Sequence, residues 1–336
     1  MKMTIKKMVS PGDLIIYRAI DEVDRRGLIQ LRPAMLEKDF MVTKVLGLLA
    51  SFNWANHPFT AVFCGGTALS KGHKLIQRMS EDMDFRLVPR RWDCKPSRQS
   101  LRTLRQALHQ QLVAGGFDNV EVRSRNKSRY AQFLLHYQSH CPRDEALLPE
   151  VKLEFIVGST FLDPLEIQVK SLLSEVLESE EAPIFHQALN PEETMVEKVV
   201  AFLRRTAGWV EDGWPRKERT PEDERLVRHL YDVQQLLEQT LPNPEIKATR
   251  KRLFEKVVEE DRQQFPGKDK AFASGPSQRL GQALAQLHTC SADFATLYQR
   301  FVSRLVWGPV MEFSVAQAAF ARLAGELLDA NHGGGS

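Results

Sequence analysis

No apolar run in this sequence approaches the roughly 20 residues that a membrane-spanning helix requires, so an integral membrane protein is not expected. Cysteine is scarce as well. Cys64, Cys94, Cys141 and Cys290 stand far apart with no C-x-x-C pair, which speaks against a zinc site or a disulfide framework and for free thiols in a reducing cytoplasm. The opening MKMTIKKMVSPGD is basic but lacks the apolar core of a secretory signal. A surplus of one charge is also missing. With 46 Lys and Arg against 43 Asp and Glu, the net charge of +3 implies a nucleic-acid partner only where cations cluster. Internal repeats and low-complexity tracts are absent, which excludes solenoids and fibrous arrays.

What remains is a globular composition, 43% hydrophobic and 26% charged over 336 residues, enough for one large domain or two ordinary ones. Residues 62–86, VFCGGTALSKGHKLIQRMSEDMDFR, hold the densest chemistry. Val62 and Phe63 end an apolar run, Gly65-Gly66-Thr67 makes a tight turn, and Asp82-Met83-Asp84-Phe85 follows a helix-compatible segment. On a strand, Asp82 and Asp84 share one face while Met83 and Phe85 face the core. Two such acids repel unless a cation lies between them, and a glycine turn offers backbone N–H groups to phosphate. Together they suggest Mg²⁺ bridging two aspartates to a nucleoside triphosphate. Taken singly, the D-x-D is as readily an exposed strand face and the G-G-T a plain turn.

The other elements follow from periodicity. Helices are expected over 13–30 and 34–52, with Glu37, Lys38 and Asp39 as solvated charges on the second. Strands are expected over 59–64, 82–88, 119–125, 130–138 and 150–157, and residues 165–177 complete the sheet or leave it. Leu101, Leu104, Leu108 and Leu112 form a helical apolar stripe ended by Gly115-Gly116. Arginines and lysines gather at Arg86, Arg90, Arg91, Lys95, Arg98, Arg102 and Arg105, and again at Arg123, Arg125, Lys127 and Arg129; they guide an RNA backbone or are solvated faces. Asn190-Pro191-Glu192-Glu193 starts a helix that contains Lys198. Residues 208–223 read as a polar lid or RNA-contacting loop, Leu226, Leu230, Val233 and Leu237 as an amphipathic helix, and 261–279 as a polar loop.

The wording GGTALSK followed by RMSEDMDF resembles the polymerase-β-like nucleotidyltransferase superfamily, and within it the AbiEii/AbiGii-type abortive-infection nucleotidyltransferase toxins, which include the MenT-like toxins. The likeness extends over about residues 60–235 through K-L-E at 152–154, E-K-x-x-A-x-x-R at 197–204 and L-Y-D at 230–232. The gap between Thr67 and Asp82 is longer than is usual in the superfamily, and His229 stands where relatives often carry an aspartate.

The resemblance implies an α+β fold: N-terminal helices (1–58), a nucleotidyltransferase core (59–185), a C-terminal helical domain (186–332) and an appended linker (333–336). It implies Asp82, Asp84 and Glu154 at the metal, with Mg²⁺ or Mn²⁺ as cofactor and an NTP as co-substrate; the alternative for Glu154 is a pair with Lys152 on an exposed strand. Gly65, Gly66, Thr67, Lys71, Arg78, Ser80 and Lys198 are expected at the nucleotide, and Asp232 is expected to orient Lys198 or to join the base or metal shell. The implied activity is transfer of a nucleoside monophosphate to RNA, foremost the tRNA 3′ end, by a toxin that an antitoxin restrains. Transfer to a small molecule or a protein side chain, or binding without catalysis, are the alternatives.

Overall fold

The computed structural model describes residues 11–91, 96–142, 144–148, 150–211, 225–240, 244–264 and 269–329, and these fall into two compact units. The first contains the described residues up to Gly72, with Met79–Ser159 and Glu166–Ala188. Seven strands form its sheet: β1 (Phe59–Cys64), β2 (Asp82–Pro89), β3 (Asn119–Arg125), β4 (Tyr130–His136), β5 (Glu150–Val157), β6 (Leu165–Val169) and β7 (Ile184–Ala188). Their order is β3-β4-β5-β2-β1-β7-β6. β2 pairs antiparallel with β1 and parallel with β5, while β4 is antiparallel to both β3 and β5.

Alternation along each strand sorts the side chains. On β5 Val151, Leu153, Phe155 and Val157 are buried, with half-buried Glu150, Lys152, Glu154 and Ile156 between them. Because Met83 lies beside Leu153, and Phe85 beside both Phe155 and Phe63, the apolar face is continuous across three strands. The Phe63 and Phe85 rings stack at 4.9 Å, and those of Phe85 and Phe155 at 5.5 Å. The Arg98–Ala114 helix adds Leu101, Leu104, Leu108 and Leu112 to this core, each buried leucine contributing about 1.5–3 kcal/mol. Ser97 caps that helix by accepting from Ser100 N at 3.0 Å, and Gly116, at φ +94°, turns the chain after it.

The Pro33–Ala50 helix departs from expectation. Its Glu37, Lys38 and Asp39 are buried, not solvated. Three successive helical positions point in widely separated directions, so each charge reaches a different segment. Glu37 accepts from Ser139 Oγ at 2.5 Å and His140 N at 2.8 Å. Lys38 Nζ donates to the Leu148 and Glu150 carbonyls at 2.8 and 2.6 Å and lies 3.5 Å from Glu81. Asp39 takes Lys71 Nζ at 2.5 Å and Leu172 N at 2.7 Å. Burial on most sides leaves the helix no polar face whose period would betray it.

The second unit contains His73–Arg78, Thr160–Leu165 and the described residues from Leu189 onward. Its helices are Pro191–Glu211, Arg228–Gln239, Pro244–Gln264, Pro276–Thr289, Ser291–Leu305 and Phe313–Leu328. Phe202 is central, with its ring 5.7 Å from Phe294 and 4.9 Å from Phe320. Asn190 caps the first of these helices by accepting from Glu192 N at 3.0 Å, and buried Glu193 accepts from Phe161 N and Leu162 N, each at 2.9 Å. Of residues 261–279, expected as a loop, the described ones are largely helical: one helix runs to Gln264, a short one spans Lys270–Ser274 with an Asp269 cap, and another begins at Pro276. Of the expected lid, residues 212–223 lie outside the described residues. Among the described residues, no helix is long and apolar enough to cross a membrane.

One buried histidine ties the first unit's stability to pH. His186, on β7, lies against the Phe63 and Phe85 rings with Nε2 3.0 Å from the Leu46 carbonyl. Burial pushes its pKa down to about 4. A base with a lowered folded pKa binds fewer protons folded than unfolded between the two values, so stability is full above the unfolded pKa of about 6.5 and falls as pH drops toward 4. Urea unfolding is expected to show up to about 3 kcal/mol less stability near pH 4.5 than at pH 7.5 from this group. His186→Gln, which keeps a donor for Leu46, removes that part of the slope.

Candidate active site

On the polar face of the first unit's sheet, across its inner strands β4, β5 and β2, residues far apart in sequence converge. The β2–β5 register sets Asp82 beside Lys152 and Asp84 beside Glu154, and β4 sets Gln132 beside Glu154. Since alternate residues share a face, Asp82, Asp84, Lys152, Glu154 and Gln132 all project from the face opposite the phenylalanines. Lys152 Nζ lies 3.0 Å from Glu154 Oε1 and 3.5 Å from Asp82 Oδ1. Gln132 Nε2 donates to Glu154 Oε1 at 2.8 Å. Asp82 Oδ1 is buried without a hydrogen-bond partner. Burial alone would lower the Lys152 pKa, but Asp82, Glu154 and Asp84 raise it above the ordinary lysine value. Burial and the Glu154 charge push the Tyr130 hydroxyl up in turn.

The glycine turn meets these acids directly. Gly65 has φ +77°, and a Cβ there would lie 2.6 Å from Asp84 Oδ2. Only glycine allows both that backbone conformation and that approach. The buried Thr67 hydroxyl donates to the Asp82 carbonyl and lies 2.9 Å from Ser80 Oγ. Cys64 Sγ is 3.3 Å from the Asp84 carbonyl. The turn thus fixes the backbone that carries both aspartates. Among the described residues, no group of three or more His, Cys, Asp and Glu is placed to hold a metal ion.

Of the other residues expected at a nucleotide, Gly66 is half-buried in the same turn, and Lys71 is buried on Asp39. Arg78, Lys198 and Asp232 come together in the second unit. Arg78 grips Asp232 with both prongs, Nε to Oδ1 at 2.6 Å and a terminal nitrogen to Oδ2 at 2.7 Å, and Lys198 Nζ reaches Oδ2 at 2.7 Å. Burial would raise the Asp232 pKa, but the two cations hold it well below the usual carboxylate range. His229, one turn-neighbour before it, is kept neutral by burial and by Lys198.

Sequence reasoning offers a Lys152–Glu154 pair on an exposed strand as the alternative for Glu154; that pair forms, half-buried, but the reading missed its reach to Asp82. It also missed Gln132, which only the β4–β5 register reveals. The basic clusters divide. Arg86 is buried on the Ser159 carbonyl at 2.6 Å and Arg90 donates to the Phe59 carbonyl at 3.1 Å, whereas Arg123, Arg125, Lys127 and Arg129 are exposed at the β3–β4 turn. Lys95 lies outside the described residues.

A family model described as the nucleotidyl transferase AbiEii toxin of type IV toxin–antitoxin systems matches residues 48–309. Among solved structures the fold is similar to MenT4, a nucleotidyltransferase toxin from Mycobacterium tuberculosis H37Rv. The TM-score is 0.57 at 18% identity, covering 94% of this chain and 89% of that one. No curated protein matches the sequence.

Two substitutions test this geometry. Asp232→Asn leaves two buried cations without their carboxylate and is expected to cost about 3–5 kcal/mol in chemical denaturation. Gly65→Ala is expected to cost only about 1 kcal/mol or slightly more through its positive φ. Its larger effect is on the position of the Asp84 carboxylate, read as a shift of the Asp84 side-chain resonance in a chain of otherwise unchanged fold.

Proposed function

This chain belongs to the AbiEii family of nucleotidyltransferase toxins of type IV toxin–antitoxin systems, and on that premise we propose that it transfers a nucleoside monophosphate from an NTP to the 3′ end of a tRNA, with pyrophosphate leaving, so blocking translation. The observation that carries the reading is the register that sets Asp84 beside Glu154 and against Gly65, with Asp82 on the same face. Magnesium, or manganese in its place, supplies a Lewis acid at the transferred phosphoryl group when bound. Asp82 and Asp84 would hold it, and Glu154 would complete the set once nucleotide is bound, since the three are not placed to hold an ion as they stand. Their chemistry fits a hard cation that takes one or two carboxylates plus substrate phosphate oxygens, and the buried Asp82 Oδ1, which receives no hydrogen bond, suits that ligand role.

The protein's own groups do the rest. The Gly65 and Gly66 backbone N–H groups take phosphate oxygens, as glycine turns do. Thr67 and Ser80 hold the Asp82 backbone so that its carboxylate keeps its aim, and Lys71 steadies the turn through Asp39. Glu154 helps to draw the proton from the attacking hydroxyl. In the second unit, Asp232 and Arg78 fix Lys198, the lysine to which this reading assigns the charge of the triphosphate. The exposed arginines and lysine of the β3–β4 turn favour an RNA acceptor. The toxin acts in the cytoplasm, within a phage abortive-infection setting, and a cognate antitoxin restrains it.

Incubating the protein with Mg²⁺, each labelled NTP in turn and total RNA tests the reading. Label at tRNA 3′ ends with the wild type, lost by at least about 100-fold with Asp84→Ala, is the expected result. Label confined to small molecules or to protein overturns the tRNA acceptor. Growth inhibition that persists undiminished in Asp82→Ala overturns catalysis altogether.

A further inference from the structure

We infer that the Lys152 ammonium is the resident counter-cation of the carboxylate cluster, and that the divalent ion arriving with nucleotide takes its place on Asp82 and Glu154. This deepens the reading above and rests on it. The β2–β5 register puts Lys152 beside Asp82, and strand alternation puts it on the face of Glu154. Its Nζ lies 3.0 Å from Glu154 Oε1 and 3.5 Å from Asp82 Oδ1. The second distance matters because Asp82 Oδ1 is buried and accepts no hydrogen bond, so the Lys152 ammonium is the cation nearest to it, with Lys38 adding a more distant attraction. An ammonium and a divalent ion cannot both sit on these oxygens.

Lysine suits such a placeholder. It carries a compact charge on a flexible four-carbon stem, and here its side chain retains 21% exposure, so it can swing toward water when displaced. Glu154 does not lose its place when Lys152 leaves, because Gln132 Nε2 still donates to it at 2.8 Å. Lys152 therefore holds the acids together before substrate arrives, and lowers the affinity for free metal so that uptake is coupled to nucleotide.

Mn²⁺ binding to the full chain, followed by electron paramagnetic resonance, tests this together with thermal melting in EDTA. Wild type, Lys152→Met, Lys152→Arg and Asp84→Ala are compared. Lys152→Met is expected to bind Mn²⁺ about ten-fold more tightly than wild type. It is also expected to melt earlier in EDTA, with the gap closing at saturating Mn²⁺. Lys152→Arg, which keeps the charge, stays near wild type in both, and Asp84→Ala abolishes the uptake. Unchanged or weaker Mn²⁺ binding by Lys152→Met, as for a lysine that holds phosphate, overturns the inference while leaving the nucleotidyltransfer reading standing. A wild type that takes up no Mn²⁺, with or without NTP, overturns the metal-dependent reading itself. Should Lys152→Met not fold, wild type labelled with ¹³C-lysine decides. The resonance missing from Lys152→Arg moves on adding Mg²⁺ and NTP if the ammonium is displaced, and a stationary resonance overturns the inference.

Discussion

A carboxylate withdrawn from water must be met by a cation or by hydrogen-bond donors, and this requirement recurs wherever the chain buries an acid. Asp39 is met by Lys71 and a backbone N–H, and Glu81 by Lys38 and the Leu148 N–H. Asp232 is met by Arg78 and Lys198, and Asp82 with Glu154 by Lys152. The first three arrangements are closed, with the lysine or arginine side chain buried almost completely. The last is the most open to solvent, and its cation rides on the more exposed stem. That difference separates charges that hold a structure together from charges that can exchange partners.

Two of the closed pairs, those of Asp39 and Lys38, serve the open one. Asp39 and Lys38 are neighbours on the Pro33–Ala50 helix, and through them the turn that bears Lys71, the residue leading into β2, and the segment leading into β5 are fastened to a single rigid element. Removing one partner of such a pair costs about 3–5 kcal/mol, a large share of a domain's stability. The strands whose ends carry Asp82, Asp84 and Glu154 are thus anchored both by their apolar face and by a charged helix. A site made of repelling acids can persist because its scaffold tolerates the strain.

Much of the fold was legible. The strands at 59–64, 119–125 and 150–157 emerge at their observed bounds, although burial alternates without a break only on β5, β3 being exposed along nearly its whole length and β1 burying successive residues at its end. The leucine stripe from Leu101 to Leu112 is likewise buried as its spacing implies. β7 was not foreseen, since IFHQA is short and its histidine interrupts the apolar pattern. The fate of Glu37, Lys38 and Asp39 was misread for a different reason. A charge's destination depends on what packs against it, and composition treats a buried pair and a solvated one alike.

Asp82, Asp84 and the glycine turn could be read directly from the chain because they are local: an i, i+2 pair on a strand, and a turn that needs a residue without a Cβ. Family wording added Glu154, Lys198 and Asp232, with Asp232 expected to orient Lys198, and the two meet at 2.7 Å. Lys152 against Asp82, Gln132 against Glu154, and Arg78 against a carboxylate 154 residues away were settled by strand register and helix packing alone. Periodicity in a sequence dictates which side of an element a residue occupies. The neighbour it finds there is chosen by contacts between distant segments, which only the folded chain brings within reach.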